Sequence, residues 1–303
     1  MIAAALLLAA ALQQQPARRI AITFDDLPLS RSSAPVAVQE SLTTALLGAI
    51  TRQRVPAIGF VNEGKLRDSA GTLDPRRVAL LGRWLDAGLE LGNHGYSHPD
   101  LHAMPLARYE DDILAGEREL RPLLAARGAA PRWFRHPYLH TGRSVAVRDS
   151  LLGFLAAHGY RVAPVTVDNG DYLFARAYDL AADPRTRGRI AQTYLAYMDS
   201  VVVFYEGQSR AIEGREIPQV LLLHASALNA ATFDRLATQL RGRGYTFIPI
   251  AEAVADTAYR SADTYAGPAG ISWLQRWAMT RNLPRSIFRG EPEVPGWITD
   301  FSP

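Results

Sequence analysis

The sequence predicts an α/β fold in which a mostly parallel sheet is closed, or nearly closed, into a barrel. Short apolar runs alternate repeatedly with segments that carry apolar residues at helical spacing, which is typical of βα units. The run 220–223 is continuously apolar, as expected for a strand that is buried on both faces. The chain of 303 residues is long enough for one such domain, since single barrel domains run to about 250 residues.

The predicted elements follow one another in a regular order. The first two strands cover 20–24 and 57–61, with a helix over 36–54 between them. Asp74 and Pro75 begin a second helix, because an N-cap acid followed by proline at the first helical position is a favoured start. The later elements are strand 89–92, helix 105–127, strand 132–134, helix 145–158, one or two strands within 160–167, strand 220–223, helix 231–242, strand 245–249 and helix 250–259.

The domain organisation is predicted from changes in composition and periodicity. The barrel is expected over 17–258, with an insertion at about 173–217 that contains a helix around 190–209 and lies near the barrel mouth. The tail over 259–303 is rich in Gly, Pro and Trp and has weak periodicity. It is therefore expected to pack on the barrel as an extension rather than to fold alone.

The N-terminus is predicted to be a signal peptide over residues 1–16. Residues 2–12 are uniformly apolar but too few to span a bilayer as a helix, which needs about 20 residues. Export to the periplasm or the extracellular space is therefore expected, with no stable membrane span. The alternatives are a mis-assigned start or a buried first helix, either of which allows a cytoplasmic protein.

Composition narrows the possible partners and ligands. Lysine and arginine total 33 against 30 acidic residues, and Lys65 is the only lysine. The arginines are scattered over predicted helices, whereas a nucleic-acid site needs them clustered on one face, so no nucleic-acid partner is expected. The chain has no cysteine, so any metal site must be built from histidine and carboxylate side chains.

Polar residues with catalytic or metal-binding chemistry follow the predicted strands directly. In barrel enzymes the chemistry sits at the carboxyl ends of the strands, so these residues would share one rim. Five groups have this placement: Asp25 with Asp26, His94 with His98, Arg135 to Tyr138, Asp168 with Asp171, and His224.

Asp26, His94 and His98 are candidate metal ligands. Adjacent carboxylates such as Asp25 and Asp26 repel, and one normally needs a cation to remain ionised beside the other. His94 and His98 are spaced i, i+4, so one helical turn would bring both rings to one side. Two histidines and one aspartate leave a position open for water, as in catalytic zinc sites. Taken separately, a turn-capping aspartate and two surface histidines remain the alternatives.

The groups resemble a known family when they are taken in chain order. The sequence is similar, over roughly 18–258, to the polysaccharide deacetylases, the NodB-homology proteins of carbohydrate esterase family 4. The resemblance implies their distorted (β/α) barrel. The five motifs that carry it are Thr23-Phe24-Asp25-Asp26, His94-Gly95-Tyr96-Ser97-His98, Arg135-His136-Pro137-Tyr138, Asp168-Asn169-Gly170-Asp171-Tyr172 and Leu222-Leu223-His224.

The resemblance implies a role for each residue of the first three motifs. Asp26, His94 and His98 would hold one divalent metal, commonly Zn²⁺, with Co²⁺, Ni²⁺ or Mn²⁺ as alternatives. Asp25 would be the general base. Arg135 would keep that carboxylate ionised and aimed, and the backbone N–H of Tyr138 would stabilise the oxyanion.

The last two motifs complete the implied site. His224 would be the general acid that protonates the leaving amine, and Asp171 would orient it and keep it charged. Tyr172 and Leu222 would line the pocket for the acetyl methyl group, and Pro137 would contact substrate. His136 and His140 could reach substrate from the same loop; otherwise they are structural or surface residues, as are His102 and His158.

Two positions depart from the family pattern. Gly95 stands where the family usually has Ser or Thr, which removes a side chain that would brace the loop, although Ser97 could compensate. Tyr172 stands where the family usually has Trp, which keeps an aromatic wall and adds a hydroxyl. Neither position transfers a proton.

The implied function is the hydrolytic removal of N-acetyl groups from an N-acetylated carbohydrate, a polysaccharide or an oligosaccharide. One alternative is a hydrolase of the same fold that acts on a small non-sugar amide or a cyclic imide. The other is a carbohydrate-binding relative that has lost turnover. The sequence does not indicate the glycan or the oligomeric state.

Overall fold

A curled, seven-stranded parallel sheet forms the centre of the computed structural model, which describes residues 18–31 and 33–302. The predicted signal peptide therefore lies outside the described residues. The strands are β1 (Arg18–Leu27), β2 (Ile58–Val61), β3 (Glu90–Asn93), β4 (Trp133–Phe134), β5 (Arg161–Val162), β6 (Gln219–His224) and β7 (Tyr245–Phe247). Their order is β5-β4-β3-β2-β1-β6, and β7 pairs with the beginning of β1.

The segment that follows β5 joins the two edges of this sheet. The N–H of Ala163 donates to the carbonyl oxygen of Phe134 in β4 at 2.8 Å. Four residues later, Val167 pairs in parallel with Leu221 in β6. The chain thus leaves one edge strand and reaches the other, which curls the sheet towards a barrel. The predicted α/β barrel-like fold is confirmed.

Helices surround the sheet, and several begin at capping side chains. Asp74 accepts a hydrogen bond from the N–H of Arg76, Ser144 from Val147, and Ser226 from Asn229. The helices are α1 (Val36–Arg52), α2 (Pro75–Asp86), α3 (Leu106–Ala115), α4 (Leu120–Ala125), α5 (Val145–Ala157), α6 (Asp171–Leu180), α7 (Pro184–Glu213), α8 (Ala227–Gly242), α9 (Ile250–Ala253), α10 (Trp273–Thr280) and α11 (Gly296–Thr299).

The single helix predicted over 105–127 is wrong, because α3 and α4 are separate. Two tertiary contacts explain the break between them. A side chain at Gly116 would collide with the backbone of Gly95, so the chain passes close to the loop that carries His94 and His98. The buried carboxylate of Glu63 then accepts the N–H groups of Glu119 and Leu120, which starts α4 anew.

The insertion and the tail belong to the same apolar core as the barrel. Helix α7 is longer than predicted and buries Tyr194, Met198 and Tyr205 in the main apolar cluster, which also contains strand residues. Trp273 and Trp277 of α10 join the same cluster. Among the described residues, no helix combines the length and the hydrophobicity that a membrane crossing requires.

The close contact between β2 and β3 gives a stability prediction. A Cβ atom on Gly92 would lie 2.5 Å from a ring carbon of Phe60 and 3.0 Å from the carbonyl oxygen of Trp133. We therefore expect Gly92→Ala to lower the free energy of unfolding by about 1–3 kcal/mol, measured by denaturant titration. Gly153→Ala in α5 is the matched control, because a Cβ there meets open space and a helix favours alanine by about 1 kcal/mol. Equal stability of the two variants would contradict the packing.

Candidate active site

The carboxyl ends of β1, β3, β4 and β6 bring the predicted site residues to one cavity of about 1120 Å³. Of the eleven residues to which the family resemblance assigns a role, eight line the cavity: Asp25, Asp26, His94, His98, Tyr138, Tyr172, Leu222 and His224. Arg135 and Asp171 are fully buried behind this wall and contact residues that line it. Pro137 is buried and does not line the cavity.

Asp26, His94 and His98 converge as a three-residue cluster. One ligating atom from each lies within 4.8 Å of the others. The carbonyl oxygen of Arg135, which can only accept, lies 2.7 Å from Nδ1 of His94. His94 therefore carries its proton on Nδ1 and leaves Nε2 free as a ligand, the arrangement that orients metal-binding histidines.

The polar groups around this cluster fit a cation. Asp25 Oδ1 and Asp26 Oδ1 are buried and accept no hydrogen bond within the described structure. Burying such an atom without a partner costs about 1–3 kcal/mol, and more if it is charged, so Asp25 Oδ1 needs an ion or water beside it. Asp26 Oδ1 has the ammonium of Lys65 at 3.0 Å. Two imidazoles and a carboxylate are a donor set that suits Zn²⁺ and related divalent metals.

The Asp25 carboxylate lies near the guanidinium of Arg135 and the imidazole of His94. Its Oδ2 is 3.8 Å from both Arg135 Nη1 and His94 Nε2. Burial raises the pKa of Asp25, the charges of Arg135 and His224 lower it, and the balance is a pKa of about 6. A carboxylate with this pKa is ionised at neutral pH and basic enough to accept a proton.

The Arg135 guanidinium is held rigidly beside Asp25. It is fully buried and donates to the hydroxyl of Thr23 at 3.0 Å, while that hydroxyl donates to the carbonyl oxygen of Leu221. The guanidinium also lies over the ring of Phe60, 4.8 Å from the ring centre. Strands β1, β2 and β6 together therefore fix its position.

Lys65, which sequence reasoning did not place in the site, neutralises Asp26. Its ammonium lies 3.0 Å from Asp26 Oδ1 and balances the charge of that carboxylate. Burial raises the pKa of Asp26, but Lys65 and the surrounding histidines lower it further, to well below its usual range. Its status as the only lysine was the one available signal.

His224 is oriented by a chain of buried hydrogen bonds. Its Nδ1 lies 2.6 Å from Asp171 Oδ1, and its backbone N–H donates to Asp171 Oδ2. Asn229 donates to the same carboxylate and accepts from the hydroxyl of Tyr194. Burial lowers the pKa of His224, but Asp171 outweighs it and raises the pKa to about 9. Asn229 and Tyr194 were not predicted. Asn229 lies only 5 residues after His224, but no sequence pattern indicates its contact with Asp171, and Tyr194 lies on α7, away from the motifs.

Backbone strain is concentrated at this cavity. Within the described ranges, six non-glycine residues have positive φ, and four of them line the cavity: Asp26, His98, Tyr138 and Leu139. Such conformations cost about 1–3 kcal/mol each, and they persist where the surrounding structure fixes a functional geometry. The strain therefore supports a functional role for this rim.

A second histidine group lies nearby but is already hydrogen-bonded within the protein. Asp100, His102 and His140 also come within ligand range of one another. His140 Nδ1 is 2.6 Å from Asp100, and His102 Nε2 accepts from the N–H of Gly142. The two imidazoles stack in parallel at 3.8 Å, so a metal in the plane of one ring would lie outside the plane of the other.

Comparison with known proteins agrees with the fold and the motifs. The polysaccharide deacetylase family model matches residues 13–162, about half of the chain, which contain the first three motifs. The chain belongs to the polysaccharide deacetylase family. The segments that carry Asp171 and His224 lie beyond the matched residues.

Individual relatives are similar over part of their length. A chitooligosaccharide deacetylase of Bradyrhizobium sp. (strain ANU 289) is 30% identical over 46% of this chain and 55% of its own. The peptidoglycan-N-acetylglucosamine deacetylase PgdA of Listeria monocytogenes is 24% identical over 78% of this chain and 38% of its own. The chain thus spans about half or less of these relatives.

The fold is also found in a solved structure. A carbohydrate esterase family 4 pseudoenzyme from Bacillus anthracis aligns with a TM-score of 0.50 and 16% identity, over 79% of this chain and 66% of its own. Likeness at this level establishes the fold alone. Because that protein is described as a pseudoenzyme, activity must be argued from the side chains.

The Lys65–Asp26 contact gives a prediction for the metal-free protein. Lys65→Met would leave two neighbouring carboxylates without this cation, and we expect the free energy of unfolding to fall by about 1–3 kcal/mol. Arg76→Met is the control, because it breaks an exposed ion pair with Glu40 that solvent screens. Denaturant unfolding in the presence of chelator measures both. A Lys65→Met variant as stable as the Arg76→Met variant would contradict the role of Lys65.

Proposed function

We propose that this protein is a metal-dependent hydrolase that removes N-acetyl groups from an N-acetylated carbohydrate. The observation that carries the proposal is the pairing of two opposite proton-transfer groups in one cavity. Asp25 is a carboxylate with a pKa of about 6, and His224 is an imidazole with a pKa of about 9. At neutral pH the first can accept a proton while the second can donate one.

Asp26, His94 and His98 would hold the metal, with Zn²⁺ as the first candidate and Co²⁺, Ni²⁺ or Mn²⁺ as alternatives. Such an ion supplies Lewis acidity to a water molecule and to a carbonyl oxygen. The unpartnered Oδ1 of Asp25 and the free Nε2 of His94 support this assignment.

Asp25 would take the proton from the attacking water. Arg135 would hold that carboxylate in the ionised state through its buried positive charge. The backbone N–H of Tyr138 would donate to the oxygen of the acetyl group as negative charge develops there, which makes that residue's left-handed conformation part of the catalytic geometry.

His224 would protonate the nitrogen of the leaving amine. Asp171 would maintain the imidazolium and aim its Nε2 into the cavity, because Nδ1 is engaged by the carboxylate. Asn229 would hold Asp171 in turn, so the acid is positioned by residues of β6, α6 and α8.

A carbohydrate substrate is supported by the walls of the cavity. Tyr138 and Tyr172 are each 56% exposed and line it, so their rings offer flat apolar faces of the kind on which sugar rings stack. Leu222 would contact the acetyl methyl group from the floor. The named activities of the chitooligosaccharide and peptidoglycan deacetylases point to N-acetylglucosamine-containing glycans. Export to the periplasm or the extracellular space would bring the enzyme to such substrates.

Two variants and a chelator test this proposal. Purified protein with Zn²⁺ should release acetate from N-acetylated chitooligosaccharides or from peptidoglycan fragments, and chelation should abolish the release. Asp25→Asn should lower kcat by about 100-fold or more while zinc content stays the same, because general bases typically contribute 10²–10⁴-fold. Asp86→Asn, an exposed carboxylate on α2, is the matched control. Acetate release that survives chelation, or a fully active Asp25→Asn variant, would exclude this mechanism.

The Asp171–His224 contact sets the pH dependence. The general acid must be protonated, so kcat should fall as the pH rises through about 9, the pKa of His224. Asp171→Asn removes the charge that raises this pKa, while burial continues to lower it. The alkaline limb of the pH–kcat profile should then move to lower pH by about one unit or more. An unchanged alkaline limb would remove Asp171 from this role.

A further inference from the structure

The last part of the chain, residues 261–302, forms an arm that is fixed to the barrel beside the site. The N–H of Trp273 donates to the carbonyl oxygen of Val165 at 2.7 Å. The hydroxyl of Ser272 donates to the backbone carbonyl oxygen of Thr166 at 2.8 Å. Both bonds are made to the segment that joins the edges of the sheet. The arm is therefore anchored where the barrel closes, and it lies outside the residues that the family model matches.

The arm contacts the loop 135–142, which carries Tyr138. A side chain at Gly270 would collide with the carbonyl oxygen of Tyr138, so the backbone of the arm lies directly against that peptide group. At the end of the loop, Arg276 Nη2 donates to the hydroxyl of Thr141 at 2.7 Å. These two contacts hold the loop in the middle and at its end.

Arg276 is built into the molecule as a rigid donor. Its side chain is 1% exposed and pairs with Asp263 at 2.7 Å. The rings of Trp273 and Tyr265 lie 4.8 and 5.2 Å from the guanidinium. The planar guanidinium is held by this ion pair and by the two rings, so it has little freedom to rotate. Its hydrogen bond to Thr141 therefore fixes the position of the loop.

The loop needs such support because its backbone is strained. Tyr138 and Leu139 are consecutive non-glycine residues with φ of 57° and 54°. Left-handed conformations are unfavourable for these side chains and persist only when neighbouring structure holds them. Within the loop, the N–H of Leu139 bonds the carbonyl oxygen of His136. Arg135, His140 and Gly142 are hydrogen-bonded to the barrel side, at His94, Asp100 and His102. The contacts at the carbonyl oxygen of Tyr138 and at the hydroxyl of Thr141 come from the arm.

We propose that Arg276 is a positioning residue that, through Thr141, holds the backbone N–H of Tyr138 at the acetyl oxygen. The inference rests on the proposed function, because that function assigns the acetyl oxygen of the substrate as the partner of the Tyr138 N–H. It assigns the arm a direct influence on the rate of the chemical step, distinct from its contribution to the core.

A pair of substitutions at Thr141 tests this inference with little change in volume. Thr141→Val removes the hydroxyl that Arg276 reaches, whereas Thr141→Ser keeps it. We expect Thr141→Val to lower kcat for acetate release roughly tenfold, with KM and zinc content unchanged, because a small displacement of one catalytic donor reduces rate strongly. Thr141→Ser should keep kcat within about twofold of the wild-type value.

The outcomes separate this inference from the proposed function. If the wild-type protein releases no acetate with any metal or glycan, the proposed function fails, and the inference fails with it. If wild type is active and the Val and Ser variants have equal kcat, only the positioning role of Arg276 fails. A Thr141→Val variant that changes KM or zinc content instead of kcat would also overturn it. Arg276→Lys, which keeps the charge and loses the fork, should reproduce the kcat loss, and a fully active Arg276→Lys variant would contradict the inference.

Discussion

The arrangement of the site depends on burying two adjacent carboxylates at the end of the central strand. Strand β1 is hydrogen-bonded to neighbours on both sides, so Asp25 and Asp26 at its end cannot turn out to solvent together. Each is given its own cation, Arg135 for Asp25 and Lys65 for Asp26. Because Oδ1 of Asp25 still accepts no hydrogen bond, the pair retains capacity for a further cation. The two histidines that could share that ion come from the end of β3.

The roles of the eleven candidate site residues were implied by the resemblance to the polysaccharide deacetylases. The strand–helix alternation predicted most of the fold, and the polar residues that follow strands predicted which groups share one rim. Both are local patterns, so they can be recognised in one sequence. What could not be predicted depends on contacts between distant parts of the chain. The break at Gly116 comes from the approach of Gly95, and Asn229 reaches Asp171 across 58 positions. Arg276 reaches Thr141 across 135 positions, and no periodicity encodes such a contact.

The strands position the side chains of the site, whereas backbone strain is concentrated at the strand ends and in the loops around the cavity. Parallel strands place the carboxylates, imidazoles and Arg135 in fixed register, and the connecting loops then carry the left-handed residues that aim them. His98 and Tyr138 are examples, and the centres of their rings lie 4.5 Å apart in an edge-to-face contact. The insertion helix α7 supports Asp171 through the contact of Tyr194 with Asn229, and the C-terminal arm contacts the loop that carries Tyr138. The insertion, which the sequence analysis placed near the barrel mouth, and the tail, which it placed on the barrel, therefore contact residues of the candidate site.

The central claim is that Asp26, His94 and His98 share one divalent ion. A crystal structure of the zinc-loaded protein, with the ion located by anomalous scattering, tests it most directly. The account predicts a single strong peak about 2.0–2.2 Å from His94 Nε2, a nitrogen of His98 and an oxygen of Asp26. Zinc bound instead at Asp100, His102 and His140, with none beside Asp26, would contradict it.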